Sequence, residues 1–71
     1  MAIVSSRYVV GHAQADGRCY IEEFHTDSTG AVHRVEYGPM PDGTDYQTIM
    51  EARALRISEE LAAQEAEQLW L

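Results

Sequence analysis

Seventy-one residues with 45% apolar content make one small domain, 1–71, with a thin stability margin, since a chain this short buries only about 60% of the surface it exposes unfolded. The single cysteine, Cys19, excludes an internal disulfide, which leaves a metal, a partner or an unusually good core as the source of stability. Twelve carboxylates against five arginines, with no lysine and a net charge of −7, oppose direct binding to nucleic-acid phosphates and to anionic membranes.

Residues 3–14 read as a first strand, rich in β-branched and aromatic types: Ile3, Val4, Tyr8, Val9 and Val10. Asp16-Gly17 is a strong two-residue hairpin signal, because a type I′ turn needs positive φ at both central positions. A second strand is expected from Arg18 to about Thr26, then a turn at Asp27-Ser28-Thr29-Gly30 and a third strand from Ala31 to Tyr37. With these turns as tips, Val9 faces Phe24 and Ala13 faces Tyr20, while Phe24 faces His33, Glu22 faces Val35 and Tyr20 faces Tyr37. One face then gathers Val9, Tyr20, Phe24, Val35 and Tyr37, with Glu22 and His33. The other pairs Glu23 with Arg34 and carries Tyr8, Val10, Cys19, Ile21 and Val32. A slip of one residue would exchange the faces.

Gly38-Pro39-Met40-Pro41-Asp42-Gly43 is the expected breakpoint, with two prolines and two glycines in six residues. The meander is therefore assigned to 3–38, a linker to 39–44 and a helix to 45–71. Thr44 is the expected N-cap, with Gln47 in the capping-box position. Asp45 and Glu51 supply negative charge where the helix dipole favours it. Tyr46, Ile49, Met50, Ala54, Ile57 and Leu61 form one apolar stripe at 100° per residue. The stripe then turns polar at Gln64, Glu65 and Gln68. A second apolar line, Leu55, Ala62, Ala66 and Leu69, lies about a third of a turn around and ends in Trp70 and Leu71. The fold class is thus α+β: a three-stranded antiparallel β-meander followed by one long C-terminal α-helix, longer than its sheet can cover.

Chemistry is sparse. His12, Cys19, His25 and His33 are the only candidate metal ligands, and in the register above His12, Cys19 and His25 share a face while His33 lies on the other. No Cys-x-x-Cys or His-x₃-His spacing accompanies them, so no metal site and no cofactor are assigned. Glu22 and Glu23 point to opposite faces and cannot work on one substrate. No glycine-rich phosphate loop is present, and a meander with one helix has little room for a cleft of hundreds of Å³, so no enzyme is expected and no catalytic residue is assigned. The acids are scattered, with only Glu22-Glu23 and Glu59-Glu60 adjacent, which fits a solvated surface better than a DNA mimic. The run Leu69-Trp70-Leu71 is the most singular feature, because tryptophan is a frequent interface anchor. Leu55, Ala62, Ala66, Leu69, Trp70 and Leu71 are the candidate protein-interface residues. No apolar run approaches the roughly 20 residues that span a bilayer. Residues 1–7 lack the basic leader and apolar stretch of a secretory signal, so the chain is expected to be made in the cytosol.

The stretch YVVGHAQADGRCYIEEFHTDSTGAVHRVEYGPMPDGTDYQTIMEARALRI, residues 8–57, resembles small uncharacterised virion-associated proteins encoded among the structural genes of tailed bacteriophages. The likeness lies in the hairpin from Gln14 to Arg18, the turn from His25 to Gly30 with His33 following, and Asp45-Tyr46 opening an Arg- and Ala-rich helix. It implies a virion component of the tail, baseplate or neck, present in symmetric copies, and it supplies no functional residue. The expected function is a non-catalytic accessory structural protein. It would bind larger virion proteins, and copies of itself, through its sheet and apolar helix end. The alternative is a small acidic cytosolic binding module or inhibitor that docks on a basic protein partner.

Overall fold

The computed structural model describes residues 1–13 and 15–69, apart from the side chains of His12, Ala13 and Leu69. It has the α+β arrangement: strands β1 (Ile3–Ala13), β2 (Cys19–Asp27) and β3 (Val32–Met40) in antiparallel order β1-β2-β3, then helix α1 (Tyr46–Leu69). The radius of gyration is 14.6 Å and the principal extents are 51 × 18 × 17 Å, so the molecule is a rod.

The register departs from the sequence expectation in both hairpins. Arg7 rather than Val9 lies opposite Phe24, and Val9 lies opposite Glu22. This two-residue shift keeps the faces of β1 and β2, because side chains alternate with period two. The first hairpin closes at Ala13–Cys19 rather than tightly around Asp16-Gly17. Between β2 and β3 the shift is one residue: Phe24 pairs with Arg34, Glu22 with Glu36 and Ile21 with Tyr37. That odd shift turns β3 over. His33, Val35 and Tyr37 now share a face with His25, Glu23 and Ile21. Arg34 leaves its expected partner Glu23 and donates to Glu22 (3.1 Å) and Glu36 (2.9 Å) on the opposite face.

Strand β3 also runs further than expected, through Gly38 and Pro39 to Met40. The proline is tolerated because β3 is an edge strand. An extra residue in β3 forms a bulge between the pairs Ile21–Tyr37 and Cys19–Met40. Gly38 is required there: its φ is +134°, and a Cβ would sit 3.0 Å from the Cys19 carbonyl oxygen. The cap of α1 is likewise Asp45, not Thr44. The Asp45 carboxylate accepts from the Thr48 amide (3.1 Å) and hydroxyl (2.7 Å), whereas the Thr44 hydroxyl donates to the Pro41 carbonyl.

The predicted stripe of α1 faces the sheet. Met50 is buried, and Tyr46, Ile49, Ala54, Ile57 and Leu61 are partly covered. The helix runs antiparallel to β1. Its first turn meets the sheet where the Tyr46 and Tyr8 rings lie 5.9 Å apart, and Ser58 Oγ accepts from the Ile3 amide at 3.0 Å. Residues 59–69 therefore extend beyond the start of β1 by about 16 Å at 1.5 Å per residue, with the Met1 amino group paired to Glu65. Among the described residues the opposite sheet face carries no helix. Tyr20 (43%) and Val32 (58%) are exposed there, and Phe24 is partly covered by the Arg7 guanidinium, 4.1 Å above its ring.

Gly38→Ala is expected to lower stability by about 1–3 kcal/mol in urea titrations, as strained backbone positions do. Gly30→Ala, at φ +90° with open space around it, is expected to cost about 1 kcal/mol.

Candidate functional site

Strand β2 is the central strand, and its alternate residues Ile21, Glu23, His25 and Asp27 point under the helix. Three of these four are polar, and all are buried. Such groups are tolerated only when their hydrogen bonds are closed. Each neighbouring element supplies a partner. From β1, Ser6 Oγ lies 2.7 Å from His25 Nδ1. His25 Nε2 lies 2.8 Å from Glu23 Oε1, and Arg53 of α1 donates to Glu23 Oε2 at 2.5 Å. The arrangement is satisfied in one way with neutral imidazole: the Ser6 hydroxyl donates to Nδ1, and Nε2–H donates to the carboxylate. Glu23 and Arg53 then carry opposite charges beneath the helix. The Arg53 guanidinium also lies 4.5 Å above the Tyr37 ring. The Tyr37 hydroxyl is buried beside Glu23 without closing a hydrogen bond. Burial first, then the close approach of the Glu23 carboxylate, push its phenol up, with Arg53 opposing.

A second cluster sits at the far end of β2. Asp27 accepts from the Thr29 hydroxyl (2.5 Å), the Thr29 amide (2.8 Å) and the Ala31 amide (3.2 Å), and His33 Nε2 lies 2.8 Å from its other oxygen. The Thr29 hydroxyl first, then His33, hold the Asp27 carboxyl well below the usual carboxylate range, outweighing the opposite push of burial.

Ser6, His25 and Glu23 stand in the order of nucleophile, base and orienting acid. Glu23 and His25 are 0% exposed. A groove of about 400 Å³ is lined instead by Ile49, Ala52, Arg53 and Arg56 of the helix. What the chain of hydrogen bonds does is fasten β1, β2 and α1 together.

The structure brings the candidate metal ligands together differently from the sequence expectation. His25 and His33 are paired across β2 and β3 on one face, each already bonded to a carboxylate, and Cys19 is half-buried. The His12 side chain lies outside the described residues. Among the described residues no group of three or more His, Cys, Asp or Glu side chains could hold a metal ion, and no helix is long and apolar enough to cross a membrane. Of the candidate interface residues, Leu55 is 64% exposed, and Ala62 and Ala66 are exposed. The side chain of Leu69, and Trp70 and Leu71 altogether, lie outside the described residues. The buried network was missed by the sequence reading, although two signals pointed to it: Glu-x-His-x-Asp at period two on the central strand, and Arg53 set inside the apolar stripe. Comparisons with protein-family models, curated proteins and solved structures find no match.

Two outcomes test this description. Glu23→Ala leaves Arg53 and His25 without their buried partner and is expected to destabilise by about 3 kcal/mol or more. Glu23→Leu combined with Arg53→Met should recover part of that loss in the same urea titration. For Asp27, the depressed pKa means that its contribution is fully present above the unfolded value near 4 and is lost as pH falls toward the folded value. The wild type should therefore lose stability on acidification below about pH 4, and Asp27→Asn should flatten that slope.

Proposed function

We propose that this chain is a non-catalytic accessory structural protein of a tailed-phage virion, held in the tail, baseplate or neck by larger virion proteins. It would be assembled in the host cytoplasm. The observation that carries the binding part of this reading is the distribution of apolar surface. Only Ile21 and Met50 are buried hydrophobic residues among those described, while Val9, Tyr20 and Val32 on the helix-free sheet face and Leu55 on the outer helix line stay exposed. These side chains leave apolar surface on two faces that association would cover. The resemblance over residues 8–57 supports the phage setting. The polar groups beneath the helix fit a protein whose work is attachment, since they are spent on one another.

Mass spectrometry of purified particles is the direct test: the chain should be present, and its absence would overturn the virion role. Deleting residues 67–71 should leave the circular dichroism spectrum nearly unchanged but abolish incorporation, whereas unfolding would place those residues in the chain's own core. A fluorophosphonate probe should leave Ser6 unlabelled; labelling abolished by His25→Ala would overturn the non-catalytic reading.

A further inference from the structure

The arginines are few, and their surroundings separate them. Arg34 is held by Glu22 and Glu36, Arg18 lies near Asp16, and Arg7 lies over Phe24. The remaining two, Arg53 and Arg56, both line the groove along the helix with Ile49 and Ala52. Arg53 is engaged by Glu23 from below. Arg56 is exposed and has no ion-pair partner among the described residues.

Following the same side of α1 toward its C-terminus, the spacing of three and four residues meets Glu60, Ala63 and Glu67, all exposed. The sequence continues that spacing at Trp70. Positions 49, 56 and 63 fall seven apart, the interval that keeps a helix face toward a partner helix. The stripe is polar in its charge. Its first half carries two arginines and its second half two glutamates, with Ile49, Ala52 and Ala63 between and around them.

From this pattern we infer that the groove is covered by the C-terminal half of α1 from a second copy of the chain, running antiparallel. Antiparallel pairing sets Arg56 of each copy opposite Ala63 of the other, within reach of Glu60 and Glu67. Parallel pairing would set arginine against arginine and glutamate against glutamate along the whole stripe, whereas the antiparallel axis brings like charges together only at Glu59 and Glu60, where arginines of both copies lie a turn away. The Arg56–Glu67 contact cannot be made within one chain. Glu67 lies about 16 Å along the helix from Arg56 at 1.5 Å per residue. Small side chains at positions 52 and 63 allow close approach of the two helices, and the two-fold axis falls near Glu60. The resulting contact is isologous, with each groove filled by the other copy. This inference rests on the assembly reading above and identifies one partner in it.

Sedimentation equilibrium of the full chain from micromolar to millimolar concentration tests it, with circular dichroism to confirm folding. The wild type should dimerise. Arg56→Glu and Glu67→Arg should each weaken the dimer about tenfold, a size consistent with two exposed ion pairs reversed per dimer. The double variant carrying both changes should return to within about threefold of wild type, since the pairs are restored across the axis. A wild type that stays monomeric, a dimer indifferent to either reversal, or a double variant no tighter than the singles would each overturn the inference. Incorporation of Arg56→Glu into particles is measured separately. A monomeric wild type that still enters particles sinks the dimer alone, and a dimer absent from particles sinks the virion role alone.

Discussion

The carboxylate of Asp27 decides most of what this fold becomes. It gathers Thr29, Ala31 and His33 around one side chain at the end of β2, and the Asp27 amide donates to the Ala31 carbonyl at 2.9 Å. The connection to β3 is thereby wound one residue differently from a simple four-residue loop. A shift of one residue in a sheet has no small effect, because it exchanges every side chain between faces. Here it brings Tyr37 and Val35 to the face of the sheet that carries the helix and sends Arg34 to the other. The partners of Glu23 follow from that choice. With Arg34 removed, the counter-charge comes from Arg53, so the helix is tied to the central strand by an ion pair.

A core with so few fully buried apolar side chains gains modestly from hydrophobic burial. The buried ion pair adds less than its short distance suggests, since desolvation opposes Coulomb attraction. Its value lies in direction. Apolar surfaces slide on one another at little cost, whereas Glu23, His25 and Ser6 accept only one placement of the strand and helix that satisfies them all. The helix therefore keeps its register on the sheet even though its second half leaves the sheet behind.

The element order, the helix stripe and the excess length of the helix were legible in the sequence, because each rests on local periodicity and on the reach of the chain. Pairing was not. The turn signals at Asp16-Gly17 and Thr29-Gly30 identified where the strands reverse, but a hairpin's register depends on which side chains close the loop, and Asp27 closes its loop through atoms four and six residues away. The end of β3 was hidden for a related reason: Pro39 forbids a central strand but not an edge, and edges are not marked locally. Arg53 illustrates the same limit. It lies within the apolar stripe, and only a buried carboxylate on another element gives it a purpose. Leu55, Ala62 and Ala66 stand where the helix geometry put them, on the outer line.

The overhang of α1 has a mechanical meaning. The helix is pinned at two points, Arg53 on Glu23 and Ser58 on the Ile3 amide, with the Met1–Glu65 pair as a softer stay further out. A helix of this length behaves as a stiff beam, so residues 59–69 form a cantilever about 16 Å long. Whatever grips its tip is held at a fixed standoff from the sheet. A sideways load at the tip is borne by the two pins, with Ser58 as the fulcrum and the Glu23–Arg53 pair resisting the lift. The small body thus has the geometry of a spacer of defined length.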